Sequence, residues 1–367
     1  MGIEVTRAGR YNNIMNLVTT EADITPEWLT SVLYANGHLM RGVVTSVETT
    51  AFSTLLSSLV RIHVRYSDDA TPGAPKSLIL KASLSDPKLT LRVGRREVDF
   101  YNLVASRMEA PPVPRCYAAC YSDDQDRYQL LLEDLSNSHA AHPQSQIPPT
   151  DRECRQILKA VAKYQAFWWD HSDLGQTVGM KPSPESIGAY CRWAEREYPR
   201  FADFLGDRLS PERRALYEEV LTGLEGALTK RLVGQPNLTL FHGDSHIGNY
   251  LFPTVGSVAR IIDWQGWGVE LGVLDLVSLM AMGWFPERRA RLERPYLQQY
   301  HTHLIEAGVP ASYTIDDCLQ DYRLEILRAI FFPISHWNMG LSSDIWWNHC
   351  ERVTSAALDL HCVELLR

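Results

Sequence analysis

The sequence predicts an α+β protein built in two unequal parts. Three observations carry that reading. Apolar and polar residues alternate, the two-residue period of half-buried strands, mainly in the first 130 or so positions. Helical spacing dominates from Asp151 onward. Within that helical part, one short polar loop, in "TLFHGDSHIGNYLF" (239–252), sits between two apolar runs. Such a turn needs a Gly and an Asp or Asn. It does not need His242, Asp244, His246 and Asn249 together.

The elements follow in order. Thr25 and Pro26 open a helix and Gly37 closes it: an N-cap, a proline at the first position and a glycine stop. In "LVRIHVRY" (59–66), Val60, Ile62, Val64 and Tyr66 alternate with Arg61, His63 and Arg65, which predicts a strand with one buried face. "DDATPGAP" is a turn, and "SLILKAS" (77–83) is a second strand. "LRVGRREVDFYNLVASRM" (91–108) reads as a helix with Val98, Tyr101 and Val104 or Ala105 on one face. "RYQLLLEDL" (127–135) is a strand ending in acidic residues. Residues 136–150 form a polar, proline-containing connection, too short to link independent domains. A helix starts at Asp151 and runs through "KAVAKYQAFWWD"; more helix fills roughly 184–232. Two short strands flank the polar loop, and helices continue to the C-terminus.

Composition narrows the function. The chain has 367 residues, 45% hydrophobic and 22% charged, ordinary values for a soluble globular protein. The net charge of −8 argues against a broad nucleic-acid surface, because phosphate backbones select for basic patches. Seven cysteines with no C-x-x-C pair fit reduced thiols in a cytoplasmic protein better than a disulfide framework or a zinc site. The opening residues lack the apolar core of a signal peptide, although Gly2 and Thr6 match the short myristoylation pattern. The apolar run near 271–285 is broken by Asp275 and is too short for a bilayer, so no membrane partner is expected.

The polar loop carries the chemistry. Asn249 follows Asp244 by five residues, and Asp263, in "ARIIDWQ" at a strand end, follows Asn249 by fourteen. A hairpin with both arms ending at one edge brings the three together. Asp244 is then a base for a hydroxyl proton. The Asn249 carbonyl and the Asp263 carboxylate are hard oxygen ligands suited to Mg²⁺. One base and two such ligands are what phosphoryl transfer to an alcohol requires. The D-x-x-x-x-N spacing with a later Asp is that of a kinase catalytic loop. No G-x-x-x-x-G-K-[ST], H-E-x-x-H or G-x-S-x-G is present, so P-loop, zincin and serine hydrolase readings fail. His242 reads as a buried imidazole bridging backbone groups, and His246 as a loop-packing residue.

"HGDxHxGNxLF…IDWQ" resembles the aminoglycoside phosphotransferase and choline kinase superfamily, and looks closest to its ecdysteroid kinase-like branch. The resemblance implies a bilobal protein-kinase-like fold, with residues 1–132 as N-lobe and 133–367 as C-lobe. It implies an ATP site between the lobes, Mg²⁺, and a small-molecule hydroxyl acceptor held by helices of the C-lobe. On this resemblance, Lys81 in "LILKAS" binds phosphate and Glu97 in the next helix pairs with it. Backbone groups around Glu133 and Leu135, in "LLLEDLSN", bind the adenine. Asp275 supports the catalytic loop, and Gln165 stands where the family usually has His. The phosphate loop corresponds to "FSTLLSS" (52–58), which lacks glycine. The hydroxyls of Ser53, Thr54 and Ser57 are then its phosphate contacts. The missing glycine is also the one feature favouring an alternative, a nucleotide-binding pseudokinase scaffold without turnover. A protein kinase is disfavoured by the absence of clear D-F-G and A-P-E elements. The aromatic segments "FFPISHWNMG" and "DIWWNHC" are expected to pack a helical core rather than to form a substrate wall.

Overall fold

The computed structural model describes residues 17–18, 20–53, 57–83, 93–143 and 147–367. Two compact units are distinguished, one formed by Met1–Arg107 with Val113–Ser138, the other by Met108–Pro112 with His139–Arg367. The myristoylation pattern at Gly2 and Thr6 lies outside the described residues, as does Thr54.

The first unit is a five-stranded sheet with a helix on each face. Helix α1 (Pro26–Ala35) is capped by the Thr25 side chain, which accepts from the Trp28 N–H at 3.1 Å. Gly37 then takes a φ of +71°, the left-handed conformation that ends many helices. Strands β1 (Val44–Ser53), β2 (Ser57–Tyr66) and β3 (Ser77–Ser83) precede α2 (Val93–Asp99); β4 (Cys116–Ser122) and β5 (Arg127–Glu133) follow it. All neighbours are antiparallel, in the order β1-β2-β3-β5-β4. Val60, Ile62, Val64, Leu78 and Leu80 pack with Leu29, Val32 and Leu33 of α1. The two-residue period then turns Lys81 to the opposite face.

The helix expected over 91–108 is only partly α-helical. Leu91 and Arg92 lie outside the described residues. After α2 the chain widens into a π-turn at Phe100–Val104 and tightens into a 3₁₀ turn at Ala105–Arg107. The wider turn accommodates an extra residue. Phe100, Tyr101, Val104 and Ala105 are all buried as a result.

The second unit begins with β6 (His139–Ala141), a strand inside the segment expected to be a simple connection. Its helices are α3 (Asp151–Trp168), α4 (Pro184–Leu205) and α5 (Pro211–Leu232). Thr150 and Glu153 form a reciprocal capping box at the start of α3. Four short strands follow: β7 (Thr239–Phe241), β8 (Tyr250–Pro253), β9 (Arg260–Ile261) and β10 (Gly268–Glu270). The two strands flanking the polar loop belong to different sheets. β7 pairs with β10, whereas β8 lies between β6 and β9. A short helical turn α6 (Leu274–Leu276) runs into a π-turn at Val277–Met282. Helices α7 (Pro286–Glu306), α8 (Ile315–Ala329), α9 (Phe332–Asn338) and α10 (Ser343–Asp359) complete the unit.

All seven cysteines are free thiols, and five of them are buried. Among the described residues no helix is long and apolar enough to cross a membrane.

Gly94 sits where α2 crosses β5. A Cβ built there lies 1.9 Å from the Tyr128 ring. Gly94→Ala is therefore expected to destabilise the protein by about 1–3 kcal/mol through overpacking. Urea unfolding measures it; an unchanged midpoint would show that α2 can shift freely on the sheet.

Candidate active site

The loop after β7 is built around one buried carboxylate. Asp275 is fully buried. It accepts the His242 N–H on both oxygens, at 3.0 and 2.9 Å, and the Gly243 N–H at 3.2 Å. From α3 it accepts the Tyr164 hydroxyl and the Gln165 amide, the latter at 3.1 Å. Burial pushes the Asp275 carboxyl above the usual range, and the hydrogen bonds pull against that rise. Gln165 also donates to the Gly272 carbonyl at 2.9 Å, and its own side-chain oxygen accepts from the Tyr300 hydroxyl. The Gln165 amide thus supplies both a donor and an acceptor without carrying charge.

His242 is wholly buried, as expected. Its Nδ1 accepts the Asp244 N–H at 3.2 Å, so the proton sits on Nε2, which donates to the Ile262 carbonyl at 2.9 Å. The ring packs edge-on to Trp264 at 4.6 Å. One imidazole therefore ties the turn holding Asp244 to the chain immediately before Asp263. Gly243 has a φ of +84°, and a Cβ there would lie 2.3 Å from the Gly266 carbonyl oxygen. Only glycine satisfies both conditions.

Asp244 itself faces solvent, with 59% of its side chain exposed. Its carboxylate accepts from the Asn249 amide at 3.2 Å and lies 3.6 Å from His246 Nε2. His246 caps the following 3₁₀ turn: its Nδ1 accepts the Gly248 N–H at 3.1 Å. It is both a loop-packing residue and a neighbour of Asp244.

Asn249 is buried, and its amide also donates to the Asp244 carbonyl at 2.8 Å. That fixes which way the amide points. Among the described residues no donor meets its Oδ1. The expected hairpin is β8–β9, registered through Tyr250 opposite Ile261 and Leu251 opposite Arg260. The Asn249 carbonyl accepts the Ile262 N–H at 3.0 Å, which sets Asp263 beside Asn249 in the chain crossing. Asp263 has a φ of +66°, a left-handed conformation that Asp tolerates better than most residues. Asp244, Asn249 and Asp263 are thus gathered by backbone hydrogen bonds within one unit.

In the first unit, Lys81 and Glu97 form an ion pair of 2.7 Å, with side chains 11% and 1% exposed. Glu133 accepts the Arg115 N–H at 3.2 Å on its carboxylate, and its own N–H bonds to the Arg115 carbonyl at 2.8 Å. The Leu135 carbonyl accepts from Ser138 at 3.0 Å, while the Leu135 N–H meets no acceptor among the described residues. Ser53 ends β1 and Ser57 begins β2, so the described part of the expected phosphate loop consists of strand ends.

Tyr164 and Tyr300 escaped the sequence reading. Their only signal is a tyrosine at helical spacing, indistinguishable from core. Of the C-terminal aromatics, Phe331 and Trp346 are core, as expected, and Trp337 and Trp347 are half-buried.

Asp275→Asn keeps the shape but replaces one acceptor oxygen with a donor facing other donors. It is expected to cost about 1–3 kcal/mol and to disorder the 242–244 turn. Thermal unfolding and amide exchange of Gly243 check this; full protection at Gly243 would show that the carboxylate is dispensable.

Residues 67–313, well over half of the chain, match the model of the phosphotransferase enzyme family. A comparison with curated proteins finds no match. Among solved structures, the Plasmodium vivax ethanolamine kinase is 14% identical with a TM-score of 0.53, covering 94% of this chain and 90% of its own. Wild-type aminoglycoside 2'-phosphotransferase-IIIa, in its GDP complex, is 12% identical with a TM-score of 0.54, covering 85% and 93%. Macrolide 2'-phosphotransferase type I is 14% identical with a TM-score of 0.51, covering 92% and 98%. At these identities the likeness is one of fold: an antiparallel sheet with helices followed by a mainly helical unit, as in kinases. These matches speak to the superfamily and not to its ecdysteroid kinase-like branch. With two thirds of its length matched, including the loop and hairpin that hold Asp244, Asn249 and Asp263, the chain belongs to the phosphotransferase enzyme family.

Proposed function

We propose that the protein is an ATP- and Mg²⁺-dependent O-phosphotransferase whose acceptor is a hydroxyl of a small molecule. The observation that carries this reading is the Asn249 side chain. Both of its amide hydrogens are spent on Asp244, at 2.8 and 3.2 Å, which leaves the side-chain carbonyl oxygen, unmet by any donor among the described residues, as the free ligand atom of a residue that is itself only 6% exposed. Two hard oxygens fit Mg²⁺, which takes few protein ligands and completes its shell with phosphates and water. Among the described residues no group of three or more His, Cys, Asp or Glu side chains is arranged to hold a metal by protein alone. Bound by Asn249 and Asp263, Mg²⁺ supplies charge neutralisation at the nucleotide phosphates.

Asp244 is the base. Its exposed carboxylate receives the acceptor's proton, and the Asn249 amide and His246 hold its orientation. The acceptor oxygen bonds to the γ-phosphorus, and the bridging oxygen leaves with its electron pair as part of ADP. Lys81, held by buried Glu97, neutralises the α- and β-phosphates. The Leu135 N–H is the free backbone donor for the adenine edge. Ser53, Thr54 and Ser57 supply the hydroxyl contacts of the phosphate loop. The first unit thus serves the nucleotide and the second the chemistry and the acceptor, in a cytoplasmic enzyme. The GDP complex of the aminoglycoside 2'-phosphotransferase supports a nucleotide in this fold.

The test uses purified protein, Mg-ATP and pooled hydroxyl compounds, with mass spectrometry reading the gain of one phosphoryl group. Asp244→Asn is expected to lower kcat/KM by about 10²–10⁴-fold with an unchanged melting temperature. Asp263→Asn keeps a residue that tolerates the left-handed backbone and removes one negative charge. It is expected to raise the Mg²⁺ requirement sharply. Near-normal turnover of that variant at low Mg²⁺ would sink the metal assignment. Nucleotide binding without any product would favour the scaffold reading.

A further inference from the structure

His336 on α9 and His349 on α10 meet with their Nδ1 atoms 3.3 Å apart and ring centroids at 5.3 Å. Two neutral imidazoles at that distance share one proton. One ring carries it on Nδ1 and so presents a bare Nε2 acceptor. The other accepts at Nδ1 and so carries its own proton on Nε2, a donor. The pair therefore offers one donor and one acceptor outward. Neither Nε2 has a partner among the described residues, and both rings are half-buried.

The pair lies in the electrostatic neighbourhood of Asp244 and His246. Asp244 and His246 act on His336, and His336, His246 and Arg352 act on His349. Asp244 is the one carboxylate in that set. The Arg352 guanidinium is fixed by the Gly283 carbonyl at 2.9 Å and lies 4.3 Å over the Phe285 ring, itself 56% exposed. Burial lowers both imidazoles, His349 to about 3, which keeps the pair uncharged at neutral pH.

A cationic acceptor wants carboxylates or an open aromatic cage. Here it would meet a single carboxylate, Asp244, with a fixed guanidinium and two neutral rings beside it. A sugar-like diol wants a donor and an acceptor side by side. We propose that His336 and His349 form the acceptor-recognition element beside Asp244, and that the acceptor is an uncharged polyhydroxylated compound whose hydroxyl next to the reacting one is bound by the pair. This rests on the phosphotransferase reading above.

The test has two parts, both on the full chain. Imidazole ¹⁵N spectra at pH 7 are expected to show one of these rings protonated on Nδ1 and the other on Nε2. Two identical tautomers overturn the pair. Transfer from Mg-ATP is then measured with two pools, neutral monosaccharides and glycosides in one, aminoglycosides and choline in the other. Products are expected from the neutral pool alone. His336→Ala and His349→Ala are each expected to raise KM for that product at least tenfold, with His349→Gln recovering part of the loss and Mg-AMP-PNP affinity unchanged. Comparable transfer to the cationic pool, or KM unmoved in both variants, overturns the assignment while leaving the phosphotransferase intact. No product from either pool with Mg-AMP-PNP still bound overturns the acceptor class. Failure to bind Mg-AMP-PNP removes the phosphotransferase reading and this inference with it.

Discussion

The Asp275 carboxylate is the contact on which the loop from His242 to Asn249 depends. A buried carboxylate is costly unless its lone pairs are filled. Here they are filled by two backbone N–H groups of the loop itself and by two side chains of α3. The desolvation cost is thereby converted into geometry. The turn at His242–Gly243 cannot move without stranding a charge. His242 passes that constraint on to Ile262, and the Asn249–Ile262 bond closes the circuit. An exposed carboxylate such as Asp244 owes its position to groups that never see solvent.

The neighbouring frame follows the same logic. Thr239 donates to the Gln165 carbonyl at 2.6 Å, which joins β7 to α3 just before the loop. At the end of the partner strand, Glu270 of β10 pairs with Arg328 of α8, which also holds Glu325 at 2.9 Å. Burial pushes Glu325 up to about 8. A guanidinium shared by two buried carboxylates ties the ribbon to α8. Removing one member would leave an uncompensated buried charge.

Much of this was legible in the sequence, because it is encoded locally. The alternation of Val60, Ile62 and Val64 and the cap at Thr25 are read within a few residues. So are the strand containing Lys81 and the spacing of Asp244, Asn249 and Asp263. What the sequence did not show depends on partners far along the chain. β1, with its polar "TSVETT" run, and β4 give weak strand signals and exist by pairing with β2 and β5. β6 is three residues long and is defined by β8. The separation of β7 and β8 into different sheets is invisible to periodicity. The π-turn at Phe100 follows from packing rather than propensity. Glu97 stands among the charged Arg95, Arg96 and Asp99, and its burial comes from the sheet beneath it rather than from any local pattern.

The groups that fix the loop lie on α3, α6 and the β7–β10 ribbon. The paired imidazoles lie on α9 and α10, and Arg352 on α10. The hydrogen bonds described above that fix the loop come from elsewhere than those last two helices. Selection can therefore rewrite α9 and α10 without loosening the hydrogen bonds that hold the loop. An anchored loop can thus sit beside a C-terminal wall whose residues change freely, and divergence is expected to concentrate in the last two helices while the loop stays constant.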